Sequence, residues 1–247
     1  MGRHRRAQRA LERQLLYQQK KAERIRADER TIFTMKQQAA NVRALLDTMR
    51  PISSEARILE VGSGAHGHVF FFDAAHKVAV DPLAQSYVKL FPMWQRQATT
   101  VAAFGESLPF RESSFDIVLS DNVVDHAESP GKILSEIARV LKPSGLFYFT
   151  VNIHHPIYAL ASQIHAAWND VGIKYEIDPF ADHTVHLTFN SARKLFAGLP
   201  LRILLEMNSI DQAKTTAKRR APHTATDRLK RLFFKNAVYE VIAIREN

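Results

Sequence analysis

Residues 56–67 read ARILEVGSGAHG, a short apolar run followed by Gly62, Gly64 and Gly67. Leu59 to Val61 close a buried strand, and the glycines leave the next turn with little side-chain bulk, so a ligand can approach its backbone. A helix expected over 67–75 would present unpaired N–H groups to a carboxylate or phosphate. Twenty-one residues after Glu60, the strand KVAV ends in Asp81, an acid placed to accept hydrogen bonds from both hydroxyls of a ribose. This combination suits an adenosine in any nucleotide fold, dinucleotides included, so the loop alone leaves the cofactor open.

Outward from the loop, short apolar runs alternate with helix-length segments, the pattern of a parallel sheet covered on both faces. Strands are expected at 57–61, 77–80, 99–103, 115–120 and 146–152, with helices near 67–75, 84–91 and 131–141. Two further strand candidates, 201–207 and 237–244, flank a basic segment. Upstream, residues 1–30 read as a helix or partly disordered arm with a thin apolar stripe. From Ile32 the stripe thickens through Met35, Ala39, Val42, Leu46 and Met49 until Pro51 ends the helix. The expected division is a basic helical arm and packing helix at 1–50, then one domain at 51–247.

The chain has 247 residues and no cysteine, which excludes disulfides, thiolate metal sites and a cysteine nucleophile and fits a reducing, cytoplasmic compartment. No apolar run reaches the roughly 20 residues that span a bilayer. The net charge of +9 is localised: residues 1–30 hold 10 Lys and Arg against 4 Asp and Glu, and residues 211–235 hold 8 against 2, leaving −3 for the remainder. A mildly acidic body carries two basic appendages, each a candidate contact for RNA or an acidic partner.

The stretches SLPFRESSFDIVLSDNVVDH (107–126) and ILSEIARVLKPSGLFYFTVN (133–152) decide between cofactors. With the Glu60, Gly62, Gly64 loop and Asp81, they closely resemble class I S-adenosylmethionine-dependent methyltransferases of the ubiquinone/menaquinone-methyltransferase-like, type 11 group, over roughly residues 55–152. The resemblance implies a Rossmann-like, doubly wound, mostly parallel α/β sheet of seven strands with an antiparallel last strand, here with an N-terminal helical extension. It implies S-adenosyl-L-methionine as cofactor, its methionine part held by Glu60, Gly62, Ser63 and Gly64 and its ribose by Asp81. Pro82 and Leu83 would flank the adenine. Phe104 stands where the family often has an acid that contacts the adenine amine, which leaves that task to the backbone around Gly105 and Glu106 or to stacking. Ser120, Asp121 and Asn122, after the fourth strand, would lie beside the sulfonium. His66 takes the place of a third glycine in the family's commonest loop.

A sulfonium methyl is already activated, so transfer needs an in-line nucleophile, a desolvated pocket and, for a hydroxyl, a proton acceptor. Candidate bases after the fourth and fifth strands are His126, His154 and His155, with Asp125 and Asn152 as orienting groups. Residues 153–199 are expected to form an acceptor lid, with Tyr158, Trp168, Tyr175 and Phe180 as candidate lining, and 211–235 a basic insertion. Asp182, His183 and His186 are metal-like in type only, and no metal is expected. A small-molecule or glycan-like acceptor, methylated on O or N, is the leading expectation. RNA methylation, a nicotinamide enzyme and a non-catalytic scaffold are the alternatives.

Overall fold

The computed structural model describes residues 2–25, 28–170, 185–219, 234 and 236–247. Two helices open the chain, α1 (Gly2–Ile25) and α2 (Glu29–Met49), followed by strands β1 (Arg57–Val61), β2 (His76–Val80), β3 (Thr99–Val101), β4 (Phe115–Asp121), β5 (Leu141–Ile153), β6 (Leu201–Asn208) and β7 (Ala237–Arg245). Helices α3 (Ala84–Leu90), α4 (Pro92–Gln95), α5 (Pro130–Val140), α6 (Pro156–Asp170), α7 (Phe189–Lys194) and α8 (Ile210–Arg219) lie between them. The sheet order is β3-β2-β1-β4-β5-β7-β6, with β7 antiparallel to both neighbours. The expected architecture is thus present, with its strand order reversing between β1 and β4, where open α/β sheets bind ligands at their carboxyl edge.

Alternation along the strands assigns each face of the sheet. Leu59, Val61, Val118, Phe147, Phe149 and Val151 pack beneath α5 and α7. Ile58, Ile117, Leu119, Leu146 and Tyr148 face the side covered by α2, α3 and α4. Helix α2 starts where the Asp28 carboxylate accepts the Thr31 N–H at 3.2 Å. It buries Ala39, Val42 and Leu46, at the spacing expected of its inner stripe. The arm α1 is more than a solvated helix, because Gln18 and Ala22 are buried and Gln14 hydrogen-bonds Tyr87 of α3.

The helix expected over 67–75 does not form. Only a 3₁₀ turn, His68–Phe70, follows the loop. The Glu60 carboxylate takes the N–H groups of His68 and Val69, at 3.2 and 2.8 Å. Val69, Phe70 and Phe72 are all buried, and the segment packs as an irregular turn whose first amides Glu60 holds. Helix α4 was not expected, and β5 begins five residues earlier than the apolar run suggests.

Candidate active site

The loop after β1 is held from two sides. Val80 O accepts the N–H groups of Gly62 and Ser63 at 2.7 and 3.0 Å, tying the turn to β2. From α4, Trp94 Nε1 donates to Ala65 O at 2.6 Å and Gln95 Nε2 to Gly64 O and Ala65 O at 3.2 and 3.1 Å. His66 packs on Phe91 and Trp94 with ring centroids 4.8 and 5.4 Å apart, and burial, with Lys21 of α1 adding to it, pushes the imidazole down to about 3. His66 is therefore a neutral packing group that braces the loop.

Gly62 and Gly64 have positive φ, +74° and +53°, in the left-handed region that disfavours side chains. A Cβ on Gly62 would lie 2.9 Å from Val123 Cβ and closer still to both methyls, whereas at Gly64 no atom lies within 4 Å of that position. Gly64 thus opens onto free space beside Asp81, whose carboxylate accepts the N–H groups of Gly64 and Leu83 at 3.0 and 2.8 Å. Burial raises the Asp81 carboxyl to about 6 despite those bonds. Open backbone and an adjacent buried acid fit a cofactor with ribose and amino-acid parts.

The other expected cofactor contacts divide. Glu60 is buried and serves the loop itself; desolvation raises its carboxyl to about 7, against the opposing pull of His68 and the backbone bonds. Ser63 is buried, Pro82 is half-buried next to Asp81, and Ser120 is buried with its hydroxyl unpartnered. Gly105 packs where a Cβ would sit 2.9 Å from Val61 Cγ1, and the Glu106 carboxylate accepts the N–H groups of Glu128 and Ser129 at 3.1 and 3.3 Å. Phe104 is 56% exposed at this edge, open to stacking. Asn122 has φ +55°; its N–H bonds Thr150 O at 3.0 Å and its Oδ1 accepts the Asn152 N–H at 3.0 Å.

Asp121 belongs to a polar row that sequence reading did not assemble. The register aligns Asp121 with Thr150 and Thr150 with Glu240 across β4, β5 and β7. Thr150 Oγ1 donates to Asp121 Oδ1, and His68 Nε2 lies 3.1 Å from Asp121 Oδ2. Burial alone would raise Asp121, but the bonds from His68 and Thr150 hold it below the usual carboxylate range. His68 moves up: Asp121 and Glu60 outweigh the burial that opposes its charge. These groups line a cavity of about 400 Å³ between α2 and the carboxyl edge, with Gln38, Asn41, Asn122, Tyr148, Asn152 and Glu240. A larger cavity, about 610 Å³, lies at the amino edge near Arg57, His76 and Thr99, the end of the strands away from the loop and Asp81.

None of the candidate bases His126, His154 and His155 lines the carboxyl-edge cavity. His126 ends a 3₁₀ turn with its side chain 41% exposed, 3.9 Å from Asp125. His154 is buried between His186 and Tyr158, at ring distances of 4.8 and 5.2 Å. His155 Nδ1 accepts the Ile157 N–H at 3.3 Å. Among the described residues no group of three His, Asp or Glu is placed to hold a metal ion, and no helix is long and apolar enough to cross a membrane. The lid candidates Tyr175 and Phe180, the Trp168 side chain, Asp182, His183 and most of the basic insertion lie outside the described residues.

A family model described as a methyltransferase domain, type 11, matches residues 59–149, the loop, Asp81 and the β4–β5 core together. Over those residues the chain is similar to class I S-adenosylmethionine-dependent methyltransferases of the type 11 group. Its relatives include a thiol S-methyltransferase of Rattus norvegicus, 31% identical over 117 residues, covering 44% of this chain and 47% of that one. A malonyl-[acyl-carrier protein] O-methyltransferase of Halorhodospira halophila is 28% identical over 145 residues, 56% of this chain and 48% of that one. The chain thus spans about half the length of the curated relatives it matches. Among solved structures, geranyl diphosphate C-methyltransferase of Streptomyces coelicolor superposes with a TM-score of 0.57 at 13% identity, over 83% of this chain and 77% of that one. The [4+2]-cyclase SpnF does so at 0.58 and 15%, over 83% and 80%. These two likenesses are of fold alone, and fold does not fix chemistry.

Proposed function

We propose that this methyltransferase moves the methyl group of S-adenosylmethionine to oxygen or nitrogen of a small-molecule or glycan-like acceptor seated beneath α2. The observation that supports the reading most is the adjacency, on one sheet edge, of the open backbone at Gly64 beside Asp81 and the polar cavity lined by His68 and Asp121. The backbone from Gly62 to Gly64 would hold the methionine part, Asp81 the ribose hydroxyls, Pro82, Leu83 and the segment Phe104 to Glu106 the adenine, and Ser120 to Asn122 the methyl-bearing end. Glu60 acts through the loop whose amides it binds. The bound cofactor supplies a methyl group already activated as a sulfonium. The chain's own work is to orient the acceptor and exclude water.

The names of the relatives point to thiol, carboxyl and carbon acceptors, so the cavity is the better guide. Amides from Gln38, Asn41, Asn122 and Asn152 and carboxylates from Asp121 and Glu240 match an acceptor rich in hydrogen-bond donors and disfavour an anion. Because Gln38 and Asn41 lie on α2, residues 29–49 are assigned to the catalytic unit. Calorimetric titration tests the cofactor: S-adenosylmethionine binds and NADH does not, and Asp81→Ala or Gly64→Arg removes binding. Binding that survives both substitutions overturns the assignment.

A further inference from the structure

We propose that His68, oriented by Asp121, takes the proton of a neutral hydroxyl acceptor bound in the cavity beneath α2, and that Asp121 is its positioning residue. The inference rests on the methyl-transfer reading above and narrows its acceptor to a hydroxyl compound.

Three features of the structure meet at this point. His68 Nε2 is 3.1 Å from Asp121 Oδ2, so the proton on Nε2 points at the carboxylate and Nδ1 keeps the lone pair. The Asp121 carboxylate is in turn fixed by the Thr150 hydroxyl on its other oxygen, and the His68 ring is steadied by an edge contact to Tyr148 at 6.3 Å. A carboxylate that orients an imidazole and supports its charged form is the arrangement of a general base. Both residues also line the cavity, whose remaining polar wall is amide and hydroxyl apart from the Glu240 carboxylate. Amides that both donate and accept suit hydroxyl compounds, and the two carboxylates repel carboxylate or phosphate acceptors.

The step balances within the groups named. The acceptor oxygen gives a lone pair to the methyl carbon of the sulfonium donor, and the old carbon–sulfur pair leaves on sulfur. The hydroxyl proton passes to the imidazole, which releases it to solvent between turnovers. Thiols, with values of about 8.5, ionise far more readily than hydroxyls, and carboxylates carry no proton to remove, so neither class needs this base as a hydroxyl does. The charged and titratable groups around His68 are Glu60 on β1, Asp121 on β4, Tyr148 on β5 and Glu240 on β7, while α2 presents the amides Gln38 and Asn41. Against the burial that opposes its charge, Asp121 and Glu60 hold the imidazole's titration above its ordinary value. The reaction rate should therefore rise with pH across that raised value and level off above it.

The test uses the full chain, His68→Gln and Asp121→Asn. Calorimetry with S-adenosylhomocysteine comes first: wild type and His68→Gln should bind within about threefold of each other, and failure of wild type to bind refutes the cofactor reading instead. Histidine NMR titration of the ligand-free chain should show His68 titrating above its ordinary value, and lower in Asp121→Asn than in wild type. Release of S-adenosylhomocysteine is then measured with catechol, methyl glucoside and glycerol, against ethanolamine, 2-mercaptoethanol and succinate. A hydroxyl compound should be methylated, with kcat lowered at least about 100-fold in His68→Gln and the alkaline-rising limb lost. In Asp121→Asn the limb should move to lower pH. The proposal is overturned if none of the three hydroxyl compounds is turned over, if His68→Gln keeps wild-type kcat, or if His68 titrates alike with and without the Asp121 carboxylate.

Discussion

Replacing Gly62 or Gly64 by alanine adds the same methyl group two residues apart, and the structure assigns the two substitutions different consequences. At Gly62 the new Cβ meets Val123 at 2.9 Å from its Cβ and nearer to both methyls, on a backbone at φ +74°. Left-handed strain costs about 1–2 kcal/mol and forced packing about 1–3 kcal/mol, so Gly62→Ala should lose about 2–5 kcal/mol, a Tm lower by about 4–20 °C for a chain of this size. At Gly64, φ is +53° and the Cβ meets nothing within 4 Å. Only the strain remains there, about 2–8 °C, but the methyl occupies the space assigned to the cofactor and should weaken S-adenosylmethionine binding about tenfold or more, or 1.4 kcal/mol. Differential scanning fluorimetry and calorimetric titration read the two effects separately. A double-mutant cycle adds the cause: Val123→Ala removes the two nearest methyls and should restore at least about 1 kcal/mol to Gly62→Ala beyond its own effect. Equal Tm losses for the two glycine variants, or a strictly additive cycle, would refute the reasoning.

Asp81 links cofactor affinity to pH. Its carboxyl is raised to about 6 by burial, and ribose hydroxyls bind the ionised form, so affinity should fall about tenfold per pH unit below 6 and level off above it; a flat profile in calorimetry counts against the ribose assignment. The same raised value works the other way for the ligand-free fold. The stabilising contribution of protonated Asp81, and of Glu60 at about 7, is complete below their unfolded values near 4 and is lost as pH rises through 6 and 7. Glu60→Gln should cost about 1–3 kcal/mol, because one amide oxygen cannot serve both the His68 and Val69 N–H groups and its NH₂ meets a backbone donor; urea denaturation checks this. Arg139→Lys should destabilise by about 1–2 kcal/mol in the same assay, since the guanidinium spans Glu136, Phe110 O and Leu108 O at once and an ammonium cannot. Removing residues 1–10 tests the basic arm without touching the buried Gln18 and Ala22; RNA binding at low salt that disappears on this truncation would favour an RNA acceptor.

The fold was legible because it is written in local periodicity. Strands β1, β2, β4 and β5 are apolar runs bounded by turn residues, and the RVLKPSG segment carries an Arg139 that ties the LPF turn to α5 through Glu136, which also accepts the Leu108 N–H at 2.9 Å. The failures come where a tertiary contact overrides the local signal. Residues 67–75 follow a glycine loop in the position of a helix, yet their first free amides are taken by Glu60 from the preceding strand. Trp94 and Gln95, which hold the loop from α4, stand about thirty residues from it and form no motif with it.

The acceptor side was less legible for a related reason. Asp121, Thr150 and Glu240 come from three strands, and only the register between β4, β5 and β7 puts them in one row. A sequence signal did exist: Tyr148, Thr150 and Asn152 alternate with Phe147, Phe149 and Val151, and Glu240 interrupts AVYEVIAI. Polar residues recurring every second position at the carboxyl end of otherwise buried strands mark a face that is not sealed. Asn41 and Gln38 complete that face from an N-terminal helix that reads as mere packing, because its apolar stripe hides what its flank presents. The sequence points to histidines directly after strands, where a base often sits. His68 instead sits one turn past the glycine loop, positioned by the same Glu60 that denies the segment its helix. Loop conformation and the placing of His68 therefore share one cause, so changing Glu60 should disturb cofactor binding and the His68 titration together.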